Sequence, residues 1–231
     1  MKALLYKEFK LSMHVMCYIF IAAFPLMILI PSYPVAIGFI YVLSCYPVLF
    51  LGTNKGQQSN DLLFSTLLPV RKKDIVLARI FTVLIMQAAF ILIMTALLPV
   101  AMQIQHSINV SALAEDPNAK PVEVPGMPLE SFGSIAGIAI AGFSVADLIF
   151  FSNYYKHGKS IVGSTLFTIL GFLAYLGIFT MGLPYAIPGY NSTLTIWWVQ
   201  VIVLGGGILI SFLMHLLTYK VASKRLELVD F

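Results

Sequence analysis

Charge is what this chain has least of. Only 10% of its 231 residues are Asp, Glu, Lys or Arg, against roughly a quarter in an ordinary soluble domain, and long stretches carry none at all. With 59% of the residues hydrophobic, there is far more apolar side chain than one water-soluble core encloses, so most of the chain is expected to be solvated by lipid or by neighbouring helices. The net charge of +4 is not gathered into a patch on a polar domain, which excludes a nucleic-acid-binding reading. Cysteine is almost absent: Cys17 and Cys45 both lie in apolar runs, which leaves no disulfide framework and no metal cluster to read from spacing. Lys7, Glu8 and Lys10 interrupt the first apolar run and no clean small-residue cleavage site follows, so the N-terminus is expected to be retained.

What charge there is has a pattern. Thirteen of the 14 Lys and Arg residues fall in residues 1 to 10, 55 to 79, 156 to 159 and 220 to 225, and the remaining one, Lys120, sits in an acidic loop. Basic residues beside apolar spans mark the cytoplasmic side, so both termini are expected in the cytosol. A helix rising about 1.5 Å per residue needs roughly 20 residues to cross a hydrocarbon core of about 30 Å. Six segments qualify, at 15 to 31, 35 to 52, 75 to 102, 132 to 152, 161 to 183 and 194 to 218. The expected fold is all-α: residues 1–231 form one polytopic, multi-pass membrane domain of six transmembrane helices in the cell membrane.

The connections fit that count. Pro31-Ser32-Tyr33-Pro34 is long enough only for an outer hairpin between spans one and two, because Pro restricts its predecessor and donates nothing to a helix. Gln103 to Glu130 reads as an outer loop, lid-like or mobile, with Pro117, Pro121, Pro125 and Pro128 and the acidic Glu115, Asp116, Glu123 and Glu130. At the N-terminus, Leu4, Leu5, Phe9 and Leu11 can share a broad face with Lys2, Lys7 and Lys10 toward the other. That suits a short interfacial elbow helix, or a plain basic flank to span one.

The loop from Thr53 to Asp74 is more patterned than a connector needs to be. Leu63 and Leu67, and Phe64 and Leu68, stand four apart and stack along one side of a helix, with Ser59, Asn60 and Asp61 as a polar start, Pro69 as a stop, Arg71, Lys72 and Lys73 after it, and Asp74 placed to cap span three. An amphipathic cytosolic helix held between two spans can receive force from a soluble partner, or can lie on the membrane surface.

Three apolar-region features invite a chemical reading. Residues 153 to 160, Asn-Tyr-Tyr-Lys-His-Gly-Lys-Ser, end like a phosphate-binding loop but have Asn153 where the motif needs glycine and a span where it needs a strand. Gly142-Phe143-Ser144 with His215 superficially resembles a rhomboid intramembrane protease, yet Val145 stands where that pattern has a second glycine and His215 falls near the cytoplasmic end of its span. Asp147 is the one acidic residue inside a span, about a turn and a half from its end. A carboxylate there is a relay or a structural partner, for a helix end or for Lys156, and nearness to the interface favours the structural role. Gly133, Gly137 and Ala141, and Gly205 to Gly207, allow close helix packing within the chain or at a dimer seam. Trp197 and Trp198 suit the outer aromatic belt.

The order of these features resembles the permease subunits of ABC-2-type exporters. The carriers of the resemblance are a basic elbow containing Lys7-Glu8, six spans, and the loop helix ending in Leu67-Leu68-Pro69-Val70-Arg71-Lys72-Lys73-Asp74-Ile75. It looks closest to short bacterial permeases that export amphipathic or antimicrobial peptides, the phenol-soluble modulin exporters among them. Many relatives open that loop with glutamates, where this chain has Asn54-Lys55-Gly56-Gln57 and keeps its acidity for Asp61. The resemblance implies a homodimeric transport subunit that is not itself an enzyme, with a separate ATPase, in two copies, holding ATP and Mg. Asp61, Leu63, Phe64, Leu67, Leu68, Arg71, Lys72 and Asp74 would couple to that ATPase, and Lys7 and Glu8 would belong to the elbow. No cofactor or metal is expected on this chain. The cargo would be an amphipathic peptide or lipid-like compound, because an apolar path leaves a charged solute unpaired. The alternatives are an intramembrane protease and an ATP-independent secondary carrier, the latter calling for midplane charges or inverted repeats, neither of which is legible here.

The topology is testable directly. In a chain lacking Cys17 and Cys45, single cysteines at Ser107, Asn118 and Ser192 are expected to react with an impermeant reagent in intact cells and ones at Ser59 and Ser223 are not; the reverse pattern would invert the orientation.

Overall fold

The computed structural model describes residues 2–12, 15–30, 70–115, 128–157 and 161–228. Among the described residues every regular element is helical. Helix α1 (Lys2–Lys7) passes through a π turn at Glu8–Ser12, and α2 (Val15–Ala23) tightens into a 3₁₀ segment at Phe24–Leu29. Then come α3 (Lys72–Glu115), α4 (Phe132–His157), α5 (Ile161–Gly177, continued by a π turn at Ile178–Gly182), the short α6 (Leu183–Ala186) and α7 (Tyr190–Leu194), and α8 (Trp197–Glu227). Four of these stretches are long and apolar enough to cross a membrane, Lys72–Ala114, Leu129–Tyr155, Gly163–Ala186 and Trp197–Glu227, with a shorter apolar helix at Cys17–Leu29. Expected span two lies outside the described residues, as does the loop pattern Asp61, Leu63, Phe64, Leu67 and Leu68.

Helix α4 is the axis of the bundle, with 78% of its apolar window buried against 17% for those of α5 and α8. Its sequence explains the role: Gly, Ala and Ser recur along it, so neighbours approach its backbone closely where lipid gives no hydrophobic drive between helices. The tightest approach is to α8. A Cβ on Gly207 would overlap the Gly137 carbonyl oxygen, and one on Gly137 would sit 2.7 Å from Leu204 Cα. The glycine spacing therefore serves packing within the chain at this seam. Aromatic rings fill the remaining space, with Phe143 stacked on Phe172 of α5 at 5.3 Å.

Several boundaries differ from those expected. Helix α3 runs about 66 Å by helical rise, through Gln103–Glu115, where a loop was expected. Between Pro99 and Pro117 there is no helix breaker, and Ser107 and Ser111 return their hydroxyls to the carbonyls four residues back. Helices α4 and α8 likewise continue to His157 and Glu227, past the ends of the apolar runs at 152 and 218, because polar residues do not stop a helix. In α1, Lys7 is buried with Glu8 rather than facing outward with Lys2 and Lys10. Both stand three and four residues after the buried Leu4 and so share its face.

Overpacking a close helix contact costs about 1–3 kcal/mol. Gly207→Val should therefore lower the unfolding temperature of the detergent-solubilised chain. Gly206→Val, where an added Cβ meets nothing within 4 Å, should leave it unchanged.

Candidate functional site

Two buried polar clusters stand out, one inside the bundle and one at its basic end. The inner cluster centres on Asp147, whose side chain is completely buried. Asp147 lies ten residues before the end of α4 at His157, about 15 Å by helical rise, and five residues, about a turn and a half, before the end of the apolar run at 152. His215 of α8 stands twelve residues before Glu227 and is buried against α4. Its Nε2 lies 2.9 Å from Asp147 Oδ2. From α3, Gln87 Nε2 donates to both carboxylate oxygens at 3.2 Å. Three helices thus meet on one carboxyl group.

The hydrogen-bond inventory limits how protons can be arranged. His215 Nδ1 is 2.7 Å from the Ser211 carbonyl oxygen, an acceptor only, so that nitrogen carries a hydrogen and donates. Nε2 must then either donate to an ionised Asp147 or accept from a protonated one, and in both cases the pair holds one shared proton and is neutral overall. With Gln87 supplying a bifurcated donor, the carboxyl group meets its hydrogen-bonding needs inside the protein, which is the condition for burying it in hydrocarbon at all. The partners are His215 and Gln87, not a helix end. The Lys156 side chain is outside the described residues.

The protease constellation does not assemble. Ser144 donates to the Ala141 carbonyl of its own helix at 2.6 Å, while both ring nitrogens of His215 are taken by Asp147 and Ser211.

The second cluster binds the N-terminal helix to the bundle. Arg79 of α3, 1% exposed, donates from Nε to Glu8 Oε1 at 3.4 Å and from Nη1 to the Tyr154 hydroxyl at 3.0 Å. Lys7 Nζ donates to the same Glu8 oxygen at 3.2 Å. The residues singled out by sequence, Lys7 and Glu8, are therefore joined to Arg79 and Tyr154, which were not. Around them the helix ends are laced together: Lys72 Nζ reaches the Leu226 carbonyl at 3.5 Å, Lys73 pairs with Glu227 at 3.2 Å, and Arg225 donates to the Ser152 carbonyl. Asp74 lies inside the first turn of α3 rather than ahead of it, and accepts from Arg71 Nε and Nη2 at 3.1 and 3.2 Å. That hydrogen bond holds the exposed Arg71 guanidinium above its ordinary value, and a carboxylate there also complements the helix dipole.

At the far end Gln200 of α8 latches the start of α4. Its amide nitrogen donates to the Glu130 and Thr195 carbonyls at 2.8 and 2.9 Å, and its oxygen accepts the Gly133 N–H at 3.1 Å. Trp197 and Trp198 are exposed beside it.

No family model, curated protein or solved structure matches the chain.

Removing one partner of a buried ion pair costs about 3–5 kcal/mol, while replacing both by apolar groups is often neutral. His215→Leu and Asp147→Leu should each destabilise the chain by that order, and the double variant should recover most of the loss in a double-mutant cycle of unfolding in detergent. Additive losses would mean that the two side chains do not act as a pair.

Proposed function

We propose that the chain is the membrane-spanning permease half of an ATP-driven exporter for amphipathic peptides or lipid-like molecules, working with a separate ATPase. The observation that carries this reading is the laced block at the basic end. Elbow residues Lys7 and Glu8, the base of α3 at Arg79, the end of α4 at Tyr154 and the end of α8 around Arg225 are bonded into one unit. The described chain resumes at Val70 and joins that block at Arg71–Asp74, where Lys72 bonds the Leu226 carbonyl. In this reading a push that arrives at Arg71–Asp74 is delivered to three long helices together. In this reading the basic end faces the cytosol, the loop carries an amphipathic coupling helix, two copies form the pathway, and spans one and two complete six.

A second reading, a proton-linked secondary carrier, is favoured by the Asp147–His215 pair, since buried ionisable groups at depth mark such carriers. Against it stands the closure of that pair: its neutral, fully bonded arrangement suits a clamp between helices better than a group that loads and unloads protons.

The loop decides between a coupling helix and a surface one. Leu63 and Leu67 are anchor residues each contributing on the order of 1.5–3 kcal/mol if buried on a partner. Changing both to Ser is expected to abolish co-purification of the ATPase at matched permease levels. Unchanged recovery would assign the ridge to the lipid surface.

A further inference from the structure

The N-terminal helix has two unlike faces. Leu4, Lys7 and Glu8 turn into the bundle, and Glu8, the only acid in residues 1–14, bonds there to Lys7 and Arg79. The opposite face is a row spaced by four, Lys2, Tyr6 and Lys10, all of them exposed. With the helix's one carboxylate facing the other way, the row presents positive charge alone.

Within that row Tyr6 and Lys10 are already arranged to receive an anionic oxygen. Lys10 Nζ donates to the Tyr6 hydroxyl oxygen at 2.6 Å and lies 5.1 Å from the centre of the ring. An ammonium has three hydrogens to give, and a phenol donates as well as accepts. With the phenol oxygen taking one ammonium hydrogen, the phenol's own hydrogen and two on Lys10 are there for an acceptor. Accepting from a cation also polarises the phenol and makes it a stronger donor.

The position of the row identifies the source of that oxygen. Glu8 and Arg79 tie the helix to the base of α3, at the end of the bundle where Lys72, Lys73, Lys224 and Arg225 gather. Tyr18, one turn into the apolar α2, donates to the Phe9 carbonyl at 2.8 Å. The row therefore stands where the apolar helices begin, the level of the headgroups of a bilayer, and basic residues there are drawn to anionic lipid. A zwitterionic headgroup brings a phosphate too, but also a cation that Lys2 and Lys10 repel. We propose that Tyr6 and Lys10, with Lys2 one turn away, form a binding site for the phosphodiester of an anionic phospholipid. Because Lys7 and Glu8 of the same helix enter the bonded block, a lipid held here steadies the elbow on the bundle. The site is independent of the ATP-driven reading and requires only that the basic end lie at the membrane surface.

The test uses the full chain in phosphatidylcholine nanodiscs doped with a diazirine-bearing phosphatidylglycerol or the matching phosphatidylcholine, with adducts located by mass spectrometry. The expected result is a preference for phosphatidylglycerol at residues 1–23, falling roughly fivefold in Lys10→Gln, the ordinary worth of a basic residue at an anionic surface. Tyr6→Phe keeps the ring and removes the hydroxyl, and should lower the preference by roughly fivefold, the worth of one hydrogen bond. Lys220→Gln with Lys224→Gln, exposed at the same end on α8, should leave labelling of residues 1–23 unchanged. Equal labelling by the two lipids would overturn the proposal. So would full preference in Tyr6→Phe, or a loss in the α8 variant equal to that in Lys10→Gln, either of which would reduce the row to diffuse surface attraction. Displacement of the lipid by millimolar glycerol 1-phosphate would overturn the lipid as the occupant.

Discussion

A carboxyl group buried among apolar helices has to find its hydrogen-bond partners within the protein, and that requirement organises this bundle. Asp147 is satisfied only when α3 brings Gln87 and α8 brings His215 to the same face of α4. The arrangement specifies a register as well as a contact. A one-residue rotation of α8 would withdraw the imidazole and leave an unpaired acid in a medium without water, a loss of several kcal/mol. The close passage of Gly137 past Gly207 on the same two helices needs the same register, so apolar packing and polar pairing reinforce each other.

The two ends of the bundle are closed by different means. At the tryptophan end, Gln200 satisfies a backbone N–H at the start of α4 and carbonyls beside it, the local repair that any helix start requires. At the basic end the bonds run between elements far apart in sequence, from Glu8 to Arg79 and from Arg225 to Ser152. A single shared carboxylate, Glu8, lies between the two cations Lys7 and Arg79, which makes the N-terminal helix part of the bundle rather than an adornment on its surface. That integration gives the proposed coupling its mechanical sense.

Sequence made the class legible and left the site hidden, for physical reasons. Apolar run length leads to long membrane-spanning helices, and four helices long and apolar enough to cross a membrane are present among the described residues. Helices continue past the apolar runs wherever hydropathy changes without a Pro or Gly to break them, to His157 and Glu227 and through Gln103–Glu115, where a loop was expected. The pair was hidden because nothing in the sequence says which faces of α4 and α8 meet, and that contact is what brings His215 to Asp147. Gln87 carried no periodic signal, and its role follows only from which helix faces Asp147. Arg79 was a usable clue, being a cation seven residues inside an apolar helix, where an ion requires a partner. The buried side of Lys7 and Glu8 could have been read from their spacing to Leu4.

In the proposed exporter, ATP drives movement of the helix block through the loop, and the Asp147–His215 pair serves as a clamp. The most direct measurement is uptake of a fluorescent amphipathic peptide by inside-out proteoliposomes that contain the permease with its co-purified ATPase. Uptake that needs ATP and persists when the proton gradient is collapsed is the predicted result. Uptake driven by a proton gradient alone, and abolished by Asp147→Asn, would contradict the account and make the buried pair the working site of a proton-linked carrier.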